Sequence, residues 1–444
     1  MKTQRFANWF VLSSVLTLLV IATPVSAQSW LQFRGPNGDG TATAKNLPTT
    51  WAEDQGIAWK TKIAGKGWST PVIQNGKIWV TSAELEAYTE EEYEKEAAKL
   101  DPKHRDQLAL TKASTFCVTQ IDYATGKVLR KIDLFYAEQP DPIHATNSYA
   151  SPTPVLEGNR LYCNFGTYGT CCVNTDNGEI IWKHKTLLTH SVGPGSSPIL
   201  VGHLLILTCD GTESQSIIAL NKKNGTPAWR TDRPPIRNED GQHRKAFSTP
   251  LLISHNGETQ MVISGSQWFC SYNPKTGEEL WRVDHGRGFS TVPAPAYKDG
   301  VVYLCTGFSS SELWAVRVDG AGDVTDSHAN WTMRKQVPNK TSPVIAGNEL
   351  YMISEKGIAT CVDLKTGDIH WAERMSGNYS ASPVFADGKI FFCSEEGKTT
   401  VIKPGTEYEE IATNMLDGQI MATPVVLDSN IILRTDSALY RVQK

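Results

Sequence analysis

A unit recurs along most of the chain and constrains the fold more than any other feature. It reads Ser/Thr-Pro, an apolar strand, a Gly or Asn turn, a second apolar strand, a variable stretch, a third strand, a turn ending in Gly, and then Trp four residues on. The prolines that open it are Pro71, Pro154, Pro198, Pro250, Pro295, Pro343, Pro383 and Pro424, and from Pro154 onward the spacings are 44, 52, 45, 48, 40 and 41 residues. Segments such as Lys77-Ile78-Trp79-Val80, Val301-Val302-Tyr303-Leu304 and Lys389-Ile390-Phe391-Phe392 are short, β-branched or aromatic, and preceded by turn residues. Asn75-Gly76, Asp299-Gly300 and Asp387-Gly388 are hairpin turns by composition, because such residues tolerate positive φ. A second turn runs from an Asx to a Gly at Asp122–Gly126, Asn174–Gly178, Asn221–Gly225, Asn273–Gly277 and Asp363–Gly367, the Asx side chain bonding backbone amides ahead of it. Trp182, Trp229, Trp281 and Trp371 follow that Gly by four residues, which suits a wedge between neighbouring sheets.

Repeats of about 40–50 residues with four strands each predict a β-propeller. Eight openings predict an all-β, eight-bladed β-propeller of four-stranded antiparallel blades. The last unit runs out at Leu439-Tyr440-Arg441-Val442 without its outer strand. Ile57-Ala58-Trp59-Lys60-Thr61 has the missing pattern, so an N-terminal strand is expected to complete the eighth blade and remove two open edges. A stretch from Glu84 to Asp106 interrupts the first blade, with nine acidic and four basic residues. Its composition is helical, with Asp101-Pro102 expected to end the first helix. It reads either as a solvated surface helix or as a lid or docking arm.

The first 27 residues read as an address. Lys2 and Arg5 precede an apolar run from Phe10 to Ala22, and Val25-Ser26-Ala27 offers a signal-peptidase site. The expectation is a signal peptide over 1–27, cut after Ala27, and one propeller domain over 28–444. The mature protein would then be exported, periplasmic or extracellular, and soluble. No Cys follows the cleavage site for lipid attachment, and the short run makes an uncleaved anchor the lesser reading. The whole chain has 43 Lys and Arg against 47 Asp and Glu, with no basic block, which argues against nucleic acid.

The motif Asp/Asn-x-x-Thr/Asn-Gly-x-x-x-Trp resembles that of the pyrroloquinoline quinone (PQQ)-like propellers. That superfamily includes quinoprotein alcohol dehydrogenases and the non-catalytic propeller of the outer-membrane barrel-assembly machinery. The resemblance covers nearly all of residues 30–444. Trp30-Leu-Gln-Phe-Arg-Gly-Pro-Asn-Gly-Asp-Gly40, Asn147-Ser-Tyr-Ala-Ser-Pro152 and Lys245-Ala-Phe-Ser-Thr-Pro250 are similar to a secreted branch of PQQ-binding-like repeat proteins. The motif describes turns and wedges, so it implies fold more than function.

Ligands are expected on the face carrying the longer loops, between strands two and three and between blades. The loops before each Ser/Thr-Pro supply Trp68, Asn147, Tyr149, Arg244, Lys245, Phe247, Arg287, Phe289 and Tyr379 as a candidate funnel for a flat anionic ligand or a peptide. His144, His190 and Asn378 accompany them, with Asp210, Glu213, Trp268 and Glu355 from the other loop set. The plainer reading is that the aromatics plug the hub and the charges are solvated. The resemblance to the dehydrogenases implies PQQ with calcium, and their vicinal disulfide directs attention to Cys171-Cys172. Repeat position explains that pair as packing, since Cys270 and Cys361 stand at the same two places in other blades. Cys163, Cys209, Cys305 and Cys393 likewise recur at the ends of second strands. Asp210, Glu213, Glu355, Asp436 and Asn147 could supply oxygens to calcium, although no local spacing groups them. The ten histidines show no zinc spacing, and neither a Gly-x-Ser-x-Gly elbow nor a phosphate loop is present. The expected function is therefore a monomeric, non-catalytic binding or scaffold protein of the cell envelope, engaging a protein, a peptide or a glycan. The alternative is a PQQ- and calcium-dependent dehydrogenase of alcohols or sugars.

Overall fold

The computed structural model describes residues 29–309 and 311–444. The signal-peptide segment lies outside the described residues. Eight four-stranded antiparallel sheets follow one another along the chain as blades. Blade 1 comprises Val72–Gln74, Lys77–Glu86, Ala113–Asp122 and Val128–Glu138. Blades 2 to 7 open at Val155–Glu157, Ile199–Val201, Leu251–His255, Ala296–Lys298, Val344–Ala346 and Val384–Ala386. Blade 8 comprises Val425–Leu427, Asn430–Arg434, Ala438–Val442 and, as its outer strand, Ile57–Lys62. The N-terminal strand runs antiparallel to the last strand of the chain, Lys60 opposite Tyr440, and so closes the ring as expected.

The turn chemistry behaves as the sequence implies. Asn75 and Gly76 take φ of 51° and 69°, the two positive values of a hairpin turn whose twist matches its strands. In the later turn the Asp122 carboxylate accepts from the Thr125 N–H at 3.0 Å and from the Thr125 hydroxyl at 2.9 Å. Gly126, at φ 72°, closes it by donating to the Asp122 carbonyl at 2.8 Å.

Four of the outer-strand tryptophans hydrogen-bond to the neighbouring blade. Trp182, Trp331 and Trp371 donate their indole N–H to the Lys222, Leu364 and Gly405 carbonyls of the following blade, at 3.1, 3.1 and 2.9 Å. Trp59 of the closing strand does the same to Tyr123 of blade 1 at 3.0 Å. Blade 1 has Arg130 at this place, and its guanidinium bonds the Asp176 carbonyl instead, at 3.1 Å. The turn Gly is small because the preceding blade's ring lies on it. A Cβ on Gly126 would fall 2.6 Å from the Trp59 ring, and one on Gly225 2.5 Å from the Trp182 ring.

The Ser/Thr that opens each repeat has a physical role around the axis. The backbone N–H of Thr70 donates to Thr153 Oγ1, Thr153 to Ser197 Oγ, and Ser197 to Thr249 Oγ1, each at 3.0 Å. The same step joins Ala294 to Ser342, Ser342 to Ser382 and Ser382 to Thr423. Between the blades lie apolar clusters. One joins Val155, Tyr162, Cys172 and Trp182 of blade 2 to Leu205 and Leu207 of blade 3.

Two details differ from expectation. Gly322–Asp323, from the last turn of blade 5, adds a parallel fifth strand to blade 4. In the insert, the strand pairing of blade 1 continues through Glu86 and resumes at Ala113, so Glu84 and Glu86 are sheet residues. The helix is confined to Glu90–Ala97 and ends before Asp101-Pro102. Thr89 begins it with a reciprocal capping box to Glu92. Leu108–Ala109 then pairs with Ile143–His144, pinning the insert over the connection from blade 1 to blade 2.

Candidate functional site

The topology puts the long loops on one face, as the sequence implied, and the axis is closed from the opposite side by the chain itself. Trp30 exchanges backbone hydrogen bonds with Ile73 of blade 1 at 2.9 and 2.7 Å, and the Leu31 carbonyl accepts from Leu156 of blade 2. The Gly40 carbonyl accepts from Phe385 of blade 7 at 2.9 Å. Between these anchors Arg34 is fully buried, and its guanidinium donates to the Pro343 and Ser342 carbonyls of blade 6 at 2.6 and 3.4 Å and to the Asp39 carbonyl at 2.7 Å. The segment 30–40 therefore spans the hub. Burial, against the nearby Asp39 charge, lowers the Arg34 guanidinium to about 10.

The nine funnel residues divide by environment. Tyr149 and Tyr379 are buried, their hydroxyls donating to the Asp141 and Ser376 carbonyls at 2.7 and 3.3 Å. The Asn147 amide donates to the Val192 carbonyl at 2.8 Å and its oxygen accepts from Ser151, so it holds two loops together. Phe247 is buried beside Gly195. Trp68 is half-buried, its indole donating to Thr146 at 3.1 Å beneath the Lys66 ammonium. Phe289 meets His243 edge-on at 4.4 Å, and Arg244 Nε donates to the Asn238 carbonyl at 2.5 Å. Arg287 is exposed. Lys245 is buried at 4 % exposure, its ammonium bonded to Gln242 Oε1.

Three of the carboxylates considered for calcium act as loop staples from the connection between the second and third strands of their blades. Glu213 accepts from the Thr189 N–H at 2.9 Å, Glu355 from Lys340 at 2.9 Å, and Asp436 from Gln419 at 3.1 Å. Glu396 serves Asn378 in the same way at 3.0 Å. Asp210 is buried against Arg233, N to O 2.7 Å. Among the described residues no three His, Cys, Asp or Glu side chains gather where they could hold a metal ion. Cys171 and Cys172 lie in an extended strand and face opposite ways, Cys171 into the core shared with blade 1 and Cys172 into the core shared with blade 3. A vicinal disulfide does not suit that geometry, because successive side chains of a strand point to opposite faces. The donor set at the hub does not fit PQQ with calcium.

A cavity opens between blades 2 and 3, bounded by Thr186, His190, Thr208, Asp210 and Phe247. Its volume of about 20 Å³ leaves room for one or two waters. Asp210 Oδ1, both His190 ring nitrogens and the Thr186 and Thr208 hydroxyls lack protein partners there. Burial raises the Asp210 carboxyl to about 6 against the pull of Arg233, and burial lowers His190 to about 4. Lys245 directly precedes Ala246 and Phe247 of the cavity wall. Lys340, which stands two residues before Ser342 as Trp68 does before Thr70, was not named by the sequence reading. Aligning the repeats at that place is the signal that would have found it.

A family model described as outer membrane protein assembly factor BamB matches residues 41–231, 114–373 and 213–444 in overlapping passes. The chain belongs to this PQQ-repeat propeller family. Among curated members of such families, tetrathionate hydrolase of Acidithiobacillus ferrooxidans is 25% identical over 212 residues, 44% of this chain and 39% of that one. Quinoprotein alcohol dehydrogenase PedH of Pseudomonas putida is 22% identical over 177 residues, 36% of this chain and 27% of that one. The matches thus span well under half of those relatives' lengths. Two solved structures share the fold. BamB of Moraxella catarrhalis aligns with TM-score 0.54 at 12% identity, over 76% of this chain and 96% of that one. Quinohemoprotein alcohol dehydrogenase of Comamonas testosteroni aligns with TM-score 0.67 at 10% identity, over 95% and 81%. The family thus holds both an assembly factor and quinoprotein dehydrogenases among its relatives.

Proposed function

We propose that the protein is an exported binding or scaffold propeller of the cell envelope, without catalysis of its own. The observation that carries this reading is the hub, occupied by the protein's own segment 30–40 with Arg34 bonded across it. The candidate carboxylates are engaged by the loop entering their own blade, and Asp210 by Arg233, which supports a binding role over a calcium site. The relative named as an assembly factor supports a protein partner. No helix of the described residues is long and apolar enough to cross a membrane. With cleavage after Ala27, the propeller from 28 to 444 acts as a single unit, a monomer presenting its loop face and the insert of blade 1 to a protein or peptide, with a glycan as the lesser ligand.

Two measurements test this. Purified protein lacking residues 1–27 is titrated with PQQ, with and without calcium, by absorbance and calorimetry; no binding is expected. Stoichiometric, calcium-dependent binding would overturn the reading in favour of a dehydrogenase. In parallel, a photocrosslinker placed at exposed Arg287 should join the protein to a defined envelope protein, and a crosslinker on the opposite face at Lys222 should not.

A further inference from the structure

We propose that a cleft between the insert of blade 1 and the connection to blade 2 binds the carboxyl terminus of a peptide whose last residue is small and apolar, the side chain entering the cleft and the carboxylate meeting Lys66. This deepens the binding-protein reading by naming a ligand for the loop face, and it rests on that reading for the class of partner.

Four stretches of chain build the cleft. Leu85 lies near the end of the second strand of blade 1, Leu110 returns from the insert, Ile143 and Tyr149 come from the connection to blade 2, and Lys66 stands at the entry to blade 1. Hydrogen bonds hold these stretches together. Lys66 and Ala83 exchange backbone bonds of 2.8 Å, Leu108–Ala109 pairs with Ile143–His144, and the Thr111 hydroxyl donates to the Glu86 carbonyl at 2.7 Å. Ile143 and Tyr149 form a buried floor, and the Tyr149 ring is fixed by its hydroxyl bond to Asp141 and by edge contacts with Phe116 and Tyr168 at 6.1 and 5.6 Å. Leu85 is left 44 % exposed at the mouth. The volume is about 30 Å³, room for roughly two or three water-sized groups, which suits an isopropyl side chain and is too small for an acyl chain.

Lys66 supplies the polar end. An ammonium has three donors, and the acceptor this one finds is the Ala145 carbonyl at 3.4 Å. The Trp68 ring flanks it, 5.3 Å away. Among the described residues no carboxylate lies within ion-pair distance of Lys66. Burial lowers its ammonium against the pull of Asp436, whose carboxylate accepts from the Gln419 N–H at 3.1 Å instead. The acidic residues of the neighbouring strand point elsewhere. Alternation along Lys77–Glu86 puts Leu85 on the cleft side and turns Glu84 and Glu86 to the other face, where Glu84 pairs with Lys131 at 2.7 Å. A half-buried cation without a carboxylate, set beside apolar walls, complements an anion carried next to a short apolar group. In a C-terminal residue the carboxylate and the side chain leave one Cα, so both fit a cleft of this size.

The test uses the chain without residues 1–27 and a dye-labelled hexapeptide ending in Gly-Ser-Val, followed by fluorescence anisotropy at low ionic strength. Saturable binding of the free-carboxylate form is expected, weakened about tenfold or more by C-terminal amidation or by glutamate in place of the last valine. Lys66→Met and Leu85→Asp should each weaken it by a similar factor, whereas Lys222→Met, on the opposite face, should leave it unchanged. Leu85 is exposed, so its variant keeps the test valid if Lys66→Met fails to fold. Sodium isovalerate carries the same carboxylate and isopropyl group without a peptide, and it should compete only at concentrations about a hundredfold higher. Competition at equal concentration would make a free carboxylic acid the ligand and overturn the peptide assignment. No saturable binding, equal binding of the amide, or binding indifferent to both Lys66→Met and Leu85→Asp would overturn the proposal. The PQQ titration does not involve this cleft, so the two readings fail separately.

Discussion

The backbone N–H of Thr70 donates at 3.0 Å to the hydroxyl of Thr153, one blade further round the axis. This bond explains why the repeat opens with Ser or Thr before Pro: the hydroxyl is the acceptor for the preceding blade. Thr153→Val keeps the shape and removes the acceptor, leaving a buried N–H unpaired at a cost of about 1–3 kcal/mol. Ala294 is the one opening residue that offers no hydroxyl, and Ala294→Ser supplies one to the Thr249 N–H. Thermal unfolding should show a lowered Tm for Thr153→Val and a raised one for Ala294→Ser. Equal Tm values for Thr153→Val and the parent would remove the ring from the account of stability.

Gly126 and Gly76 separate two roles of glycine. Both have positive φ, 72° and 69°, so an added Cβ costs about 1–2 kcal/mol at either. A Cβ on Gly76 meets nothing within 4 Å, while one on Gly126 meets the Trp59 ring at 2.6 Å. Gly126→Ala should therefore destabilise by a further 1–3 kcal/mol or so, through overpacking at the seam that closes the ring. Chemical denaturation of the two variants side by side measures the difference.

These two examples mark what was legible in the sequence. Turn residues and strand pattern are local and recur along the chain, with the Trp spacing at four of the turns, and they led to the blade count and the closing strand. The hub was not legible, because Arg34 bonds Pro343 across 309 residues and no periodicity connects them. The carboxylates were misleading for a related reason. Glu213, Glu355 and Asp436 look like scattered ligands in sequence, and only the fold shows that each caps the loop entering its own blade. Tyr149 and Tyr379 stand among funnel residues in the repeat alignment, yet their hydroxyls turn inward to carbonyls.

His285 sets a pH dependence. It is 7 % exposed, its Nε2 lies 3.0 Å from the Gly265 carbonyl, and burial lowers it to about 4, against the bonds to Gly265 and Arg287. A folded-state value below the unfolded one means that the unfolded chain binds the extra proton as pH falls from about 6.5 towards 4, so stability is lost on acidification. Between pH 6.5 and pH 5 the loss from this one group is about 2 kcal/mol. In that window Asp210, raised to about 6, works in the opposite sense, gaining stability as it protonates. His285→Asn should flatten the acid limb of a plot of unfolding free energy against pH, and Asp210→Asn should steepen it.

Cys163 and Cys171 make the last prediction. They stand directly opposite each other on adjacent antiparallel strands of blade 2, and burial raises the Cys163 thiol well above its usual range. Cys172 points the other way, opposite Tyr162 and towards Trp182. A disulfide needs Cβ atoms about 3.5–4.5 Å apart, which cross-strand partners approach and strand neighbours facing opposite ways do not. Refolding with oxidised glutathione should therefore yield a peptide linking Cys163 to Cys171, each disulfide formed as two thiols lose two electrons and two protons to the oxidant. Because both thiols are fully buried, the same oxidant added to folded protein should act far more slowly. Mass mapping under both conditions decides the matter. A Cys171–Cys172 link as the main product would contradict the strand geometry and reopen the comparison with the quinoprotein site.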